Sequence, residues 1–104
     1  MINTLKNILG IGPAVDYAQL VKQGAVIIDV RSKSEFSGGH INGSVNIPVD
    51  QLSRHLNQLP DKNKTIITCC ASGMRSGSAK SFLKSSGYTS VHNGGSWTSL
   101  KNKL

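Results

Sequence analysis

Ala25-Val26-Ile27-Ile28-Asp29-Val30 is a near-continuous apolar run, and it limits the folds open to this chain more than any other stretch. A strand with one wet face alternates apolar and polar residues, whereas one covered on both faces in a parallel sheet reads as unbroken β-branched sequence. A second such run, Thr65-Ile66-Ile67-Thr68-Cys69, follows after segments with helical spacing. Strands alternating with helices in this order predict a small α/β sheet with helices on both faces.

The remaining elements follow from local chemistry. Ala14 to Lys22, ending before Gly24, fits a short helix with a glycine cap. Ser32-Lys33-Ser34-Glu35 matches a capping box and predicts a helical turn starting there. The turn-rich stretch Gly38 to Ser44 leads into a short strand, Val45-Asn46-Ile47, ended by Pro48. Asp50 to Leu59, with Leu52, Leu56 and Leu59 in helical spacing, predicts a helix stopped by Pro60. A helix from about Arg75 to Ser86 ends at Gly87, Val91 centres a last short strand, and Gly94-Gly95 turns into a helix from Ser96. Trp97 and Leu100 form that helix's apolar face, with Trp97 as a core anchor. With 104 residues the chain makes one domain, read as 13–104, preceded by an amphipathic extension over 1–12. The extension carries Lys6 among Ile2, Leu5, Ile8, Leu9 and Ile11, and its apolar core is too short for a secretory signal.

Between the second apolar run and the following helix lies Cys70-Ala71-Ser72-Gly73-Met74-Arg75-Ser76. A small, Gly-containing loop joining a strand to a helix gathers its backbone N–H groups and the helix N-terminus around one point. A free Cys titrates near ~8.5, and aimed amides, a helix N-terminus and a nearby Arg all favour its anion. Cys70 is therefore the candidate nucleophile, Ala71 to Ser76 supply an amide cradle, and Arg75 offers a planar charged fork to an anionic substrate. Gly73 suits a bend of unusual φ or a close approach of backbone to ligand. Buried Asp29 needs a partner, and its pairing with Arg31 is read as structural support rather than catalysis. His40 has no carboxylate spaced to orient it, so a structural hydrogen bond suits it better than a general-base role; His55 and His92 carry less information still.

Charge and cysteine usage narrow the partners. Twelve Lys and Arg against five Asp and Glu give a net charge of +7, which favours anionic small molecules or acidic partners. The cationic residues are scattered, without a basic run or interleaved aromatics, and this argues against nucleic acid. No apolar run approaches the ~20 residues that span a bilayer. The only two cysteines, Cys69 and Cys70, are adjacent and cannot staple distant segments, so a reducing, cytoplasmic setting is expected, and no metal or cofactor is implied.

The motifs Val26 to Arg31, Glu35-Phe36, Gly39 to Pro48, Cys70 to Ser76, Gly87-Tyr88 and Gly94-Gly95 together resemble a single-domain rhodanese. The resemblance covers nearly the whole chain after Pro13. It implies a parallel-sheet fold and a sulfurtransferase in which Cys70 takes a sulfane sulfur as a persulfide and hands it to a nucleophile, with thiosulfate as donor and cyanide as test acceptor. A protein sulfur donor or acceptor is a further partner class. Two other readings use the same residues. Cys69 to Arg75 is Cys-x5-Arg, the spacing of tyrosine phosphatases and arsenate reductases, although Thr68 stands where that pattern has His. The chain could also be a sulfur carrier that acts only when docked to a partner. Cys69 is expected to point away from Cys70, since successive strand side chains alternate faces.

Overall fold

The computed structural model describes residues 14–104; the expected extension over 1–12 lies outside them. Four strands form one parallel sheet in the order β2-β1-β3-β4, with β1 Val26–Asp29, β2 Val45–Asn46, β3 Ile66–Cys70 and β4 Val91–Ser96. Among the described residues the α-helices are α1 Tyr17–Lys22, α2 Lys33–Ser37, α3 Met74–Ser85 and α4 Trp97–Lys101. The two apolar runs form the central strands, as their unbroken hydrophobicity requires.

Each sheet face carries its own core. On one, Ile28, Val30, Ile66, Cys70 and Val91 pack with Ala79 and Leu83 of α3 and with Leu52 and Tyr88. On the other, Ile27, Ile67 and Cys69 pack with Leu100 of α4, with Tyr17, Leu20 and Val21 of α1, and with Trp97. Full burial of each such Ile or Leu is worth about 1.5–3 kcal/mol, so both helix layers are needed to hold so small a sheet.

Local signals set most boundaries. Asp16 caps α1 by accepting from the Gln19 amide, and the helix begins there rather than at Ala14. Ser32 and Glu35 form the full capping box of α2. The expected helix over Asp50–Leu59 is instead two 3-10 turns, Val49–Arg54 and Leu56–Gln58. Val49 N–H is tied to Val30 O at 3.0 Å, and tighter i→i+3 winding from that anchor still delivers Leu52 and Leu59 to the core.

The last strand also differs from expectation. Gly94-Gly95 does not end β4 but sits inside it, where three steps from Asn93 to Ser96 span two from Thr68 to Cys70. This bulge needs both glycines: Gly95 adopts φ +83°, and a Cβ on Gly94 would meet Thr68 O and Leu100 Cδ2 at 2.9 Å. It brings Gly95 under the Cys70 loop, where a Cβ on Gly73 would stand 3.4 Å from Gly95 Cα.

Candidate active site

Cys70 is the last residue of β3, at the carboxyl end of a central strand where open α/β sheets place their ligands. Gly73, at φ +99°, reverses the chain and starts α3 without a side-chain cap. The cysteine sulfur fills that role, accepting from Gly73 N–H at 3.0 Å and from Ser76 N–H, the third amide of the helix, at 3.3 Å. Ser76 Oγ lies 3.3 Å from the same sulfur. Burial pushes the Cys70 thiol up, but the Ser76 hydroxyl and the amides of Ser76, Ser72 and Gly73 outweigh it and bring the thiol below its ordinary range. The cysteine is fully buried, at the floor of the loop.

Of the expected cradle, Gly73 and Ser76 bond the sulfur directly. Met74 and Arg75 occupy the first two positions of α3, whose amides have no intrahelical acceptor and point out of the helix N-terminus. Met74 is 81% exposed, an unusual exposure for a large apolar residue. Arg75 does not reach into the loop as a free fork. Its Nη1 and Nη2 donate to Glu35 Oε1 at 2.7 Å and Oε2 at 3.0 Å. That pairing holds the Glu35 carboxyl down at about 2 and raises Arg75. Arg75 also borders a groove of about 400 Å³ shared with Ser32, Lys33, Pro48 and Gln51.

Cys69 faces the opposite core, as strand alternation requires. Burial, with the nearby Asp29 charge, pushes its thiol up to about 12. Asp29 and Arg31 form a buried ion pair. Arg31 Nη2 donates to Asp29 Oδ2 at 2.7 Å and Nε to Asp29 Oδ1 and Oδ2 at 3.0 and 3.1 Å, while Nη1 donates to Glu35 O and Nη2 also to Gly39 O. The guanidinium lies 4.7 Å over the Trp97 ring, which makes Trp97 a lid on this buried pair. His40 stacks on Phe36 and hydrogen-bonds Phe36 O at 2.8 Å, a structural contact. Among the described residues no cluster of His, Cys, Asp and Glu is placed to hold a metal ion, and no helix is long and apolar enough to cross a membrane.

Two polar residues join the site without a local sequence signature. Glu35 shows only its capping role, because its bond to Arg75 spans 40 positions. Asn93 donates from Nδ2 to Gly73 O at 3.2 Å, and its Oδ1 accepts from Ser76 Oγ at 2.7 Å and from Gly95 N–H at 2.9 Å. The one hint for Asn93 is its place beside the paired glycines.

Comparison with known proteins agrees with this geometry. The family profile described as Rhodanese-like domain matches residues 14–103. The chain is 39% identical over 69 residues to the thiosulfate sulfurtransferase PspE of Escherichia coli K12, covering 65% of this chain and 66% of that protein. It is 41% identical over 69 residues to the uncharacterized protein YqhL of Bacillus subtilis, covering 66% of this chain and 54% of that one. The matches thus span about two thirds and about half of these relatives' lengths. A solved structure of an E. coli rhodanese with anions superposes at a TM-score of 0.69 with 36% identity, covering 73% of this chain and 91% of the other. With its parallel sheet, its cysteine-floored loop and a profile match over nearly all the described residues, the chain belongs to the family of rhodanese-like domains.

Proposed function

We propose that this protein is a sulfurtransferase that moves a sulfane sulfur from thiosulfate or a persulfide donor to a thiol or cyanide through a persulfide on Cys70. The observation that carries this reading is the Cys70 sulfur seated on Gly73 N–H, Ser76 N–H and the Ser76 hydroxyl. In the first step the thiolate attacks the outer sulfur of thiosulfate; the new S–S bond forms as the old one breaks, and sulfite leaves with the bonding pair. In the second, cyanide or an acceptor thiolate attacks the outer sulfur of the persulfide, and Cys70 departs as thiolate. No general base is needed once the Cys70 thiol has ionised. The loop amides stabilise the charge at both stages.

The outer atoms of an anionic donor meet the free amides of Met74 and Arg75, with the Glu35-paired Arg75 guanidinium available only as a more distant charge, while the net charge of +7 steers anions toward the molecule. The names of two similar proteins, a thiosulfate sulfurtransferase and a rhodanese solved with anions, support the same substrate class. Thiol chemistry of this kind needs reduced cysteines, which fits a cytoplasmic setting. The 81% exposed Met74 at the loop favours a second, compatible reading, in which the acceptor or donor is a protein docking on that apolar side chain.

The test is the intact mass of reduced protein after thiosulfate and then cyanide, for wild type, Cys70→Ser and Cys69→Ser. Wild type and Cys69→Ser should gain one sulfur that cyanide removes, and Cys70→Ser none. No gain in any form would overturn turnover on small donors and leave the partner-dependent carrier as the account.

A further inference from the structure

Ser76 Oγ has one proton and two claimants for it, the Cys70 sulfur at 3.3 Å and Asn93 Oδ1 at 2.7 Å. The orientation of the Asn93 amide is fixed by its neighbours. Its oxygen receives Gly95 N–H at 2.9 Å and its nitrogen faces Gly73 O at 3.2 Å, so a flipped amide would set donor against donor and acceptor against acceptor. An amide oxygen only accepts, so the short 2.7 Å bond requires Ser76 to donate to Asn93. While it does, Ser76 presents a lone pair to Cys70, and the 3.3 Å contact is satisfied by the S–H of a neutral thiol.

Once Cys70 loses its proton to solvent, that arrangement opposes a lone pair to an anion. Rotation of the Ser76 hydroxyl about its Cβ–Oγ bond relieves it and moves no heavy atom. The serine backbone stays fixed, because Thr68 Oγ1 donates to Ser76 O at 2.9 Å. Asn93 Oδ1 is not orphaned either, since Gly95 N–H remains bound to it. We propose that Asn93 is a positioning residue that holds the Ser76 proton while Cys70 is a thiol and yields it to the sulfur when Cys70 is anionic. Asn93 thereby sets how readily Cys70 ionises, acting through Ser76 rather than by touching the sulfur. The inference rests on Cys70 being the working thiol, and it identifies a residue on β4 that adjusts it.

Other charges act on the sulfur as a fixed background. Arg75 of α3 carries the nearest cation in sequence, with Glu35 of α2 held against its guanidinium, Cys69 precedes Cys70 in β3, and Asp29 and Arg31 offset one another. For His92, next to Asn93 on β4, burial, and after it Lys80 and Lys84 of α3, disfavours the charged form.

The experiment is thiolate absorbance near 240 nm against pH, paired with the rate of iodoacetamide alkylation, for Asn93→Asp in the Ser76 and Ser76→Ala backgrounds. Cys69, at about 12, stays silent in the working range. A carboxylate is a stronger acceptor for the Ser76 proton, so Asn93→Asp should raise the Cys70 midpoint in both backgrounds through its charge. The rise should be larger where Ser76 is present, by about threefold in the acid dissociation constant, or half a pH unit. Equal shifts in the two backgrounds would mean that charge alone acts, and would overturn the proposal. Asn93→Ser, uncharged and a weaker acceptor, repeats the comparison should Asn93→Asp not fold; its midpoint should lie lower with Ser76 present than the Ser76→Ala pair predicts, and no difference overturns the proposal equally. Neither readout requires sulfur transfer, so a protein without thiosulfate turnover could still show the coupling, and an active one could lack it.

Discussion

Arg75 and Glu35 meet through two parallel hydrogen bonds, at 2.7 and 3.0 Å, with both side chains more than a third exposed. The cation closest in sequence to the candidate nucleophile is therefore offset by a carboxylate borrowed from the α2 capping box, where Glu35 also accepts from Ser32 N–H. The pair orients the guanidinium beside the loop, and it also reduces the net positive charge offered to an anionic donor.

The kinetic consequence is directional. Glu35→Gln keeps a capping side chain at the third helical position but leaves Arg75 unneutralised. The KM for thiosulfate should fall, by about two- to fivefold at low ionic strength, with the difference fading in high salt as exposed charges are screened. Arg75→Ala should raise it. Steady-state rates at two salt concentrations provide the check, and an unchanged KM in both variants would remove Arg75 from donor binding.

The same ion pair makes a pH-dependent contribution to stability. Glu35 is held at about 2 in the fold against 4.5 ordinarily, chiefly by the Arg75 hydrogen bond. A depressed carboxyl stabilises the fold above its unfolded value and loses that contribution as pH falls through the folded one. The Tm difference between wild type and Glu35→Gln should thus be constant above about pH 5 and close between 4.5 and 2. A gap that widened with acid would contradict the assignment.

Adjacent cysteines on opposite sheet faces should react in sequence. Near neutral pH, Cys70, whose thiol is lowered by its amide and hydroxyl partners, should be the one residue alkylated by iodoacetamide in the native protein, with Cys69, pushed up to about 12, modified only after unfolding. Peptide mapping with and without denaturant reads this directly. Native labelling of Cys69 at a comparable rate would argue that β3 opens at its carboxyl end.

Asp29 and Arg31 form a buried pair, 0% and 4% exposed, and neither is left with an unpaired buried polar atom. Removing one partner strands the other's charge in the core, a loss of about 3–5 kcal/mol for such pairs. Arg31→Ala should be costlier than Arg31→Lys, because only the planar guanidinium reaches Asp29, Glu35 O and Gly39 O at once while lying over Trp97. Urea titration of the two variants tests the ranking.

Much of this protein was written in local sequence. The β-branched runs at Val26–Asp29 and Ile66–Cys70 dictated buried parallel strands, Ser32 and Glu35 dictated the start of α2, and Gly73 dictated the turn that sets amides on Cys70. The opposite orientations of Cys69 and Cys70 followed from the pleat alone. Tertiary structure decided what depended on distant partners. The leucine spacing over 50–59 suited a helix, yet the anchoring of Val49 to Val30 O wound it as 3-10 turns. Gly94-Gly95 read as a turn, yet contact with Thr68 and Leu100 made it a bulge within β4. Arg75 read as a free anion clamp, yet Glu35 had claimed it from 40 residues away. Asn93 carried no signal of its own, because its role exists only once β4 lies beside β3 and the amide meets Gly73, Ser76 and Gly95 together. Strand character and turn chemistry are properties of neighbours along the chain, whereas the pairing of side chains at the end of a parallel sheet is settled only when strands far apart in sequence are brought into register.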